Sequence, residues 1–189
     1  MFFIHVVCRS VDAEMLVEWI ELHSIVGISE IILYNDSMPD DVTRLLRTYQ
    51  EHNNAAVTRV TVVRWRFPSQ HLVSYFCQHE AINDCVYRAA SQGHHFVIVN
   101  DLDEILVPRG KGHMTMMDFV DDVTKRSRDV GAYIFQHAYF RRNRTSLEEP
   151  YLVSLQSLWR TNEVTPPGRI RSKVIKKYDN YVCGSELIH

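Results

Sequence analysis

Apolar positions along this chain follow two periods in turn, and their alternation predicts an α/β domain built on a mainly parallel sheet. Phe2 to Cys8 is a short apolar run that predicts a first strand. From Ala13 to Val26 the spacing turns helical: Leu16, Trp19, Ile20, His23 and Val26 share one stripe, with Asp12 at the cap position and Gly27 as the stop. That stripe reads as a core face, Trp19 and His23 included, since the two stand one helical turn apart. Ser29 to Asn35 predicts a second strand, Asp40 to His52 a second helix, and Val57 to Trp65 a third strand of high β-branched content. Gln78 to Ser91 predicts a third helix that ends near Gly93 and leads into an apolar strand from His95 to Val107. Gly131 to Phe140 predicts a further strand.

Right-handed crossovers between such units gather the carboxyl ends of the strands on one edge, where open α/β sheets bind ligands. Topology alone would then bring together Cys8-Arg9-Ser10-Val11-Asp12, Tyr34-Asn35-Asp36 and Asn100-Asp101-Leu102-Asp103. The last cluster carries the most chemistry. On an extended strand Asp101 and Asp103 project from the same face, about 7 Å apart, within reach of one cation. Carboxylate oxygens suit Mg²⁺ or Mn²⁺, and a cation with only two protein ligands keeps positions for phosphate oxygens. Glu104 falls on the opposite face, where it orients the loop or accepts hydrogen bonds from it. Ordinary turn and cap chemistry is the competing reading for this Asp-x-Asp, as it is for Asp12 and Asp36.

Composition narrows the class. The 189 residues suit a single domain, 1–189, with a full core. With 21 Lys and Arg against 23 Asp and Glu there is no general attraction to nucleic acid, and Arg141-Arg142-Asn143-Arg144 reads as a solvated loop. The runs Phe2 to Val7 and Phe96 to Val99 are too short to span a bilayer, and no leader precedes the first strand. Two expectations stand on this ground: a cytosolic protein, or the domain portion of a longer one whose membrane anchor is missing from this chain. Cys8, Cys77, Cys85 and Cys183 show no Cys-x-x-Cys spacing, so buried thiols are expected, with one disulfide open to them in an oxidising lumen. His94-His95 lacks a third ligand at metal spacing and does not read as a site. The sequons Asn35-Asp36-Ser37 and Asn143-Arg144-Thr145 are compatible with a secretory compartment.

An ordered series of motifs resembles glycosyltransferase family 92: Glu18-Trp19-Ile20-Glu21-Leu22-His23 with Gly27, Ile32-Leu33-Tyr34-Asn35-Asp36-Ser37, Gln78 with Asn83-Asp84-Cys85, and Asp101-Leu102-Asp103-Glu104-Ile105-Leu106-Val107-Pro108. Arg171-Ser172-Lys173-Val174-Ile175 and His189 are similar to the family's closing Lys and His pattern. The resemblance implies a GT-A-like fold, a Rossmann-like sheet flanked by helices, with 1–108 as the nucleotide-sugar half and 109–189 as the acceptor half. It implies a metal-dependent hexosyltransferase of the Golgi lumen, a type II membrane protein in full-length form, which uses Mn²⁺ or Mg²⁺, a UDP-sugar donor and a glycan or glycoprotein acceptor. UDP-galactose is the expected donor and inversion the expected outcome. By the same resemblance Asp101, Asp103 and His189 are the metal candidates, and Cys8, Arg9, Asp12, Glu14, Asp36, Asp101 and Lys173 the nucleotide-sugar candidates. The family's Arg-Asn-Glu appears here as Arg9-Ser10-Val11-Asp12-Ala13-Glu14, so Asp12 and Glu14 both stand for the acidic role. Ile105 replaces the usual Phe after the acidic triplet.

Inversion requires a base near the acceptor hydroxyl. Glu148 and Glu149, which follow the Gly131 to Phe140 strand, are the candidates, with solvated acids as the plainer reading. His137, Tyr139, Phe140 and Trp159 are candidate sugar contacts, each with core packing as the stronger alternative. Cys85 reads as a buried helix residue, and its neighbour Asp84 as a support for the acid loop. Two other functions compete: a catalytically silent nucleotide- or glycan-binding module, and a phosphohydrolase with Asp101 as nucleophile, for which the accompanying Thr or Lys signature is lacking.

Overall fold

The computed structural model describes residues 2–8, 11–51, 58–65, 77–108, 112, 115–126, 131–135, 137–141, 159–165 and 173–177. Its elements run β1 (Phe2–Cys8), α1 (Ala13–Ile25), β2 (Glu30–Asn35), α2 (Asp40–Glu51), β3 (Arg59–Arg64), α3 (Gln78–Ser91), β4 (Phe96–Val99), α4 (Met116–Arg126), β5 (Ala132–Phe135), β6 (His137–Arg141), β7 (Trp159–Thr165) and β8 (Lys173–Lys177). A six-stranded sheet has the order β3-β2-β1-β4-β8-β5. Its first four strands are parallel, while β8 runs antiparallel to both β4 and β5. The predicted α/β class with a mainly parallel sheet is what forms. Strands β6 and β7 pair antiparallel in a second sheet.

The apolar run of β2 is explained by cover on both faces. Ile31 and Leu33 join Val60 of β3 and Ile98 of β4 against Leu16, Trp19 and Ile20 of α1, Val42 and Leu46 of α2, and Met116 and Val120 of α4. Ile32 and Tyr34 turn the other way, with Val97, onto Ala81, Cys85 and Ala89 of α3. Burial of each such large side chain contributes about 1.5–3 kcal/mol relative to exposure. Among the described residues no helix is long and apolar enough to cross a membrane.

Helix α1 begins and ends as its sequence predicts. The Asp12 carboxylate accepts from the N–H groups of Glu14 and Met15 at 2.9 and 3.1 Å, satisfying two donors that the helix leaves open. At the other end Gly27 takes φ +86°, and Ile28 N–H and Gly27 N–H return to His23 O and Ser24 O at 3.0 and 2.9 Å. This paired return is the left-handed helix stop that glycine favours.

Two expectations need correction, and one helix was not anticipated. The strand expected from His95 to Val107 ends at Val99, because Asn100 to Glu104 turn back and bond to one another instead of to a neighbouring strand. The strand expected from Gly131 to Phe140 is divided between β5 and β6, which belong to different sheets. Helix α4 was not expected, although Thr115 and Asp118 form a reciprocal cap at its start, with Asp118 N–H on Thr115 Oγ1 at 3.2 Å and Thr115 N–H on Asp118 Oδ2 at 2.9 Å.

Candidate active site

The chain builds β1, β2 and β3 outward in one direction, then returns to lay β4 against the other side of β1. Strand order reverses between β1 and β4, and such a reversal opens a crevice at the carboxyl edge of the sheet. Cys8 ends β1 there, paired with Asn35 at the end of β2. Strand β4 stops at Val99, opposite His5, so the acid turn leaves the sheet before β1 has finished. Strand β8 enters from the same edge. Its Ile175 pairs with Ile98, and since the two strands are antiparallel, Lys173 stands two positions further on, level with Asn100.

The acids sit in a turn, which replaces the strand alternation used above to join them. Glu104 N–H donates to Asp101 O at 3.1 Å, and Asp101 N–H donates to the Glu104 carboxylate at 3.0 Å. Glu104 thus accepts a hydrogen bond from the loop, as one of its expected roles required. Asp101 is partly exposed and Asp103 exposed, which leaves both carboxylates at the solvent edge. Hard oxygen donors one residue apart fit Mg²⁺ or Mn²⁺. Among the described residues no third His, Cys, Asp or Glu joins them.

Helix α1 holds this turn from the core side. The Trp19 indole N–H donates to Asp101 O at 3.1 Å and to Glu104 O at 2.9 Å. Asn100 Nδ2 donates to the same Glu104 O at 2.9 Å and lies 3.4 Å from His23 Nε2. His23 Nδ1 lies 2.7 Å from Trp19 O, so the neutral ring donates there and presents Nε2 as acceptor. Burial pushes the His23 imidazole down to about 4, against the smaller opposing effect of its bond to Trp19 O. Trp19 and His23 are core residues as expected, at 1% and 0% exposure. Their grip on the acid turn was not foreseen, although a buried indole N–H usually finds a partner. Asn100 is also buried, and its Oδ1 has no hydrogen-bond partner among the described residues.

Other candidates separate by position. Asp12 is occupied in capping α1, and Glu14 is exposed in its first turn. Asp36 is buried directly after β2, where Asn35 Oδ1 accepts Met38 N–H at 2.9 Å. Arg9, Glu148, Glu149 and His189 lie outside the described residues, as do Cys183 and the basic cluster beyond Arg141. Asp84 accepts from Tyr34 Oη at 2.8 Å and Arg88 Nε at 2.6 Å, fastening α3 to β2. Cys85 is fully buried, and its thiol is pushed up chiefly by that burial. Cys77 and Cys85 are both free thiols. His94 pairs with the buried Glu30 at 3.1 Å on the opposite, amino edge.

Tyr139 and Phe140 are 43% and 53% exposed on β6, which corrects the core reading for both. A groove of about 480 Å³, lined by Asn35, Thr43, Leu46, Arg47, Gln50, Val62 and Arg64, opens beside β2 and β3 instead of at the acid turn.

Residues 6–183 match the model of a family described as Glycosyltransferase family 92. No curated protein matches the chain.

Proposed function

This chain belongs to glycosyltransferase family 92, and we propose that it transfers a hexose, galactose from UDP-galactose, to a glycan or glycoprotein acceptor with inversion and the help of Mn²⁺ or Mg²⁺. Family membership indicates glycosyltransferase activity, and with it a sugar donor and a glycan acceptor. The GT-A fold, the donor, the cation and the Golgi lumen as compartment are the finer parts of the reading. One observation carries it: the Asp101-Leu102-Asp103 turn stands at the carboxyl edge beside the β1/β4 reversal, where the topology opens a ligand crevice.

Asp101 and Asp103 would hold the cation, with His189 completing its shell. When bound, the cation supplies Lewis-acid stabilisation of the negative charge that gathers on the departing diphosphate. The residues of this chain do the rest. Lys173, at the same edge as the turn, would add positive charge toward the phosphates. Cys8 at the end of β1, with Arg9 and the Asp12 to Glu14 segment after it, would contact the nucleotide, with Asp36 beyond β2. Exposed Tyr139 and Phe140 offer aromatic faces that suit pyranose rings. Glu148 or Glu149 would take the acceptor hydroxyl proton.

Calorimetric titration of UDP with Mn²⁺, and again with EDTA, tests the reading. Binding is expected only with Mn²⁺, and Asp103→Asn is expected to abolish it while the circular dichroism spectrum stays that of the parent chain. UDP binding that ignores both metal and Asp103 would overturn the cation site. Binding without sugar transfer or hydrolysis across a panel of UDP-sugars would identify a silent module instead.

A further inference from the structure

We propose that Trp19 is the positioning residue of the Asp101/Asp103 cation site, acting through the two backbone carbonyls that its indole N–H holds. The proposal rests on the glycosyltransferase reading above. Asp101 O and Glu104 O are the first and last carbonyls of the acid turn, and one rigid donor meets both, at 3.1 and 2.9 Å. That donor is anchored in the core at 1% exposure, with its ring tilted over His23 at a centroid distance of 4.2 Å. His23 and Asn100 extend the grip: the ring donates to Trp19 O at 2.7 Å, its Nε2 faces Asn100 Nδ2 at 3.4 Å, and that amide donates to Glu104 O at 2.9 Å.

None of these bonds is made by the carboxylate of Asp101 or Asp103. The grip acts on the main chain alone, so it sets where the carboxylates stand without taking up their oxygens. Two carboxylates separated by a single residue repel each other, and an unsupported turn relieves that repulsion by spreading. A turn held at both ends has already met the cost of bringing them together, which raises cation affinity. Groups that orient metal ligands in this way typically govern 10–100-fold in affinity.

A purely structural Trp19 would fill the core equally well without its N–H, and two replacements separate the roles. Trp19→Phe keeps an aromatic ring and removes the donor. The sulfur analogue β-(3-benzothienyl)alanine, incorporated at position 19, keeps the bicyclic shape and removes only the N–H. Mn²⁺ is titrated calorimetrically into the whole chain and both variants, well below their unfolding midpoints, with Asp103→Asn alongside. The expected result is a 10–100-fold weaker Mn²⁺ constant in both Trp19 variants, with the circular dichroism spectrum of the parent, and no measurable binding by Asp103→Asn. If the Trp19 variants bind Mn²⁺ as tightly as the parent while Asp103→Asn does not, the positioning role is overturned and the cation site stands. Parent binding that is absent, or indifferent to Asp103→Asn, overturns both. Should Trp19→Phe fail to fold, the benzothienyl variant decides alone.

Discussion

Single side chains in this molecule serve two purposes where the core meets the crevice. His23 fills a fully buried place in α1 and also presents an acceptor toward Asn100. Its folded pKa of about 4 lies below the ordinary imidazole value of 6.5, so between those values the unfolded chain binds the proton and the folded one does not. Its contribution is therefore fully present above pH 6.5 and is lost as pH falls toward 4. His23→Gln keeps a hydrogen-bonding group but cannot titrate. Urea unfolding at pH 7 and pH 4.5 is expected to show the parent losing about 2–3 kcal/mol more than His23→Gln over that interval. Equal losses would mean that the imidazole accepts its proton in the folded state with ease.

At the scale of elements, α1 is the lever that connects sheet, core and acid turn, and both of its ends are specified locally. Asp12→Ala removes the acceptor for two helix N–H groups and is expected to cost about 1 kcal/mol in urea unfolding. Gly27→Ala should cost about 1–2 kcal/mol. A Cβ there is strained at φ +86° and meets Thr115 Cβ at 3.3 Å, at the start of α4. Val26 O accepts Met116 N–H at 2.8 Å at the same junction, so displacement of Gly27 also disturbs the seat of α4. A Gly27→Ala protein with an unchanged urea midpoint would show that this junction yields freely.

At the scale of the whole molecule, charge is divided between the two edges of the parallel strands. The amino edge holds the buried Glu30 and His94 pair, with Thr61 Oγ1 donating to Glu30 at 3.1 Å. The carboxyl edge holds the acid turn at the β1/β4 reversal, where two carboxylates face solvent. Hydrogen exchange read by mass spectrometry, with and without UDP and Mn²⁺, is expected to gain protection at the end of β1 and at Asn100 to Glu104, with no change around Glu30 and His94. Protection at the amino edge would place the ligand elsewhere.

The sequence by itself determined the order and type of the elements through α3, because helical and strand periods are local and strong there. It fixed both ends of α1 as well, since Asp12 and Gly27 act within a few residues of themselves. It also identified the acids and brought three polar clusters to one edge by connectivity alone. Only tertiary structure decided how the acids are held. An apolar run continues through Ile105, Leu106 and Val107, which favours a longer strand in sequence; instead Asn100 to Glu104 bond to one another, and Trp19, some eighty positions earlier, donates to two of the carbonyls of that turn. The same holds for the division of Gly131 to Phe140 between two sheets and for the antiparallel entry of β8. Each depends on which distant strand offers an open edge, and hydrophobic period carries no record of that choice.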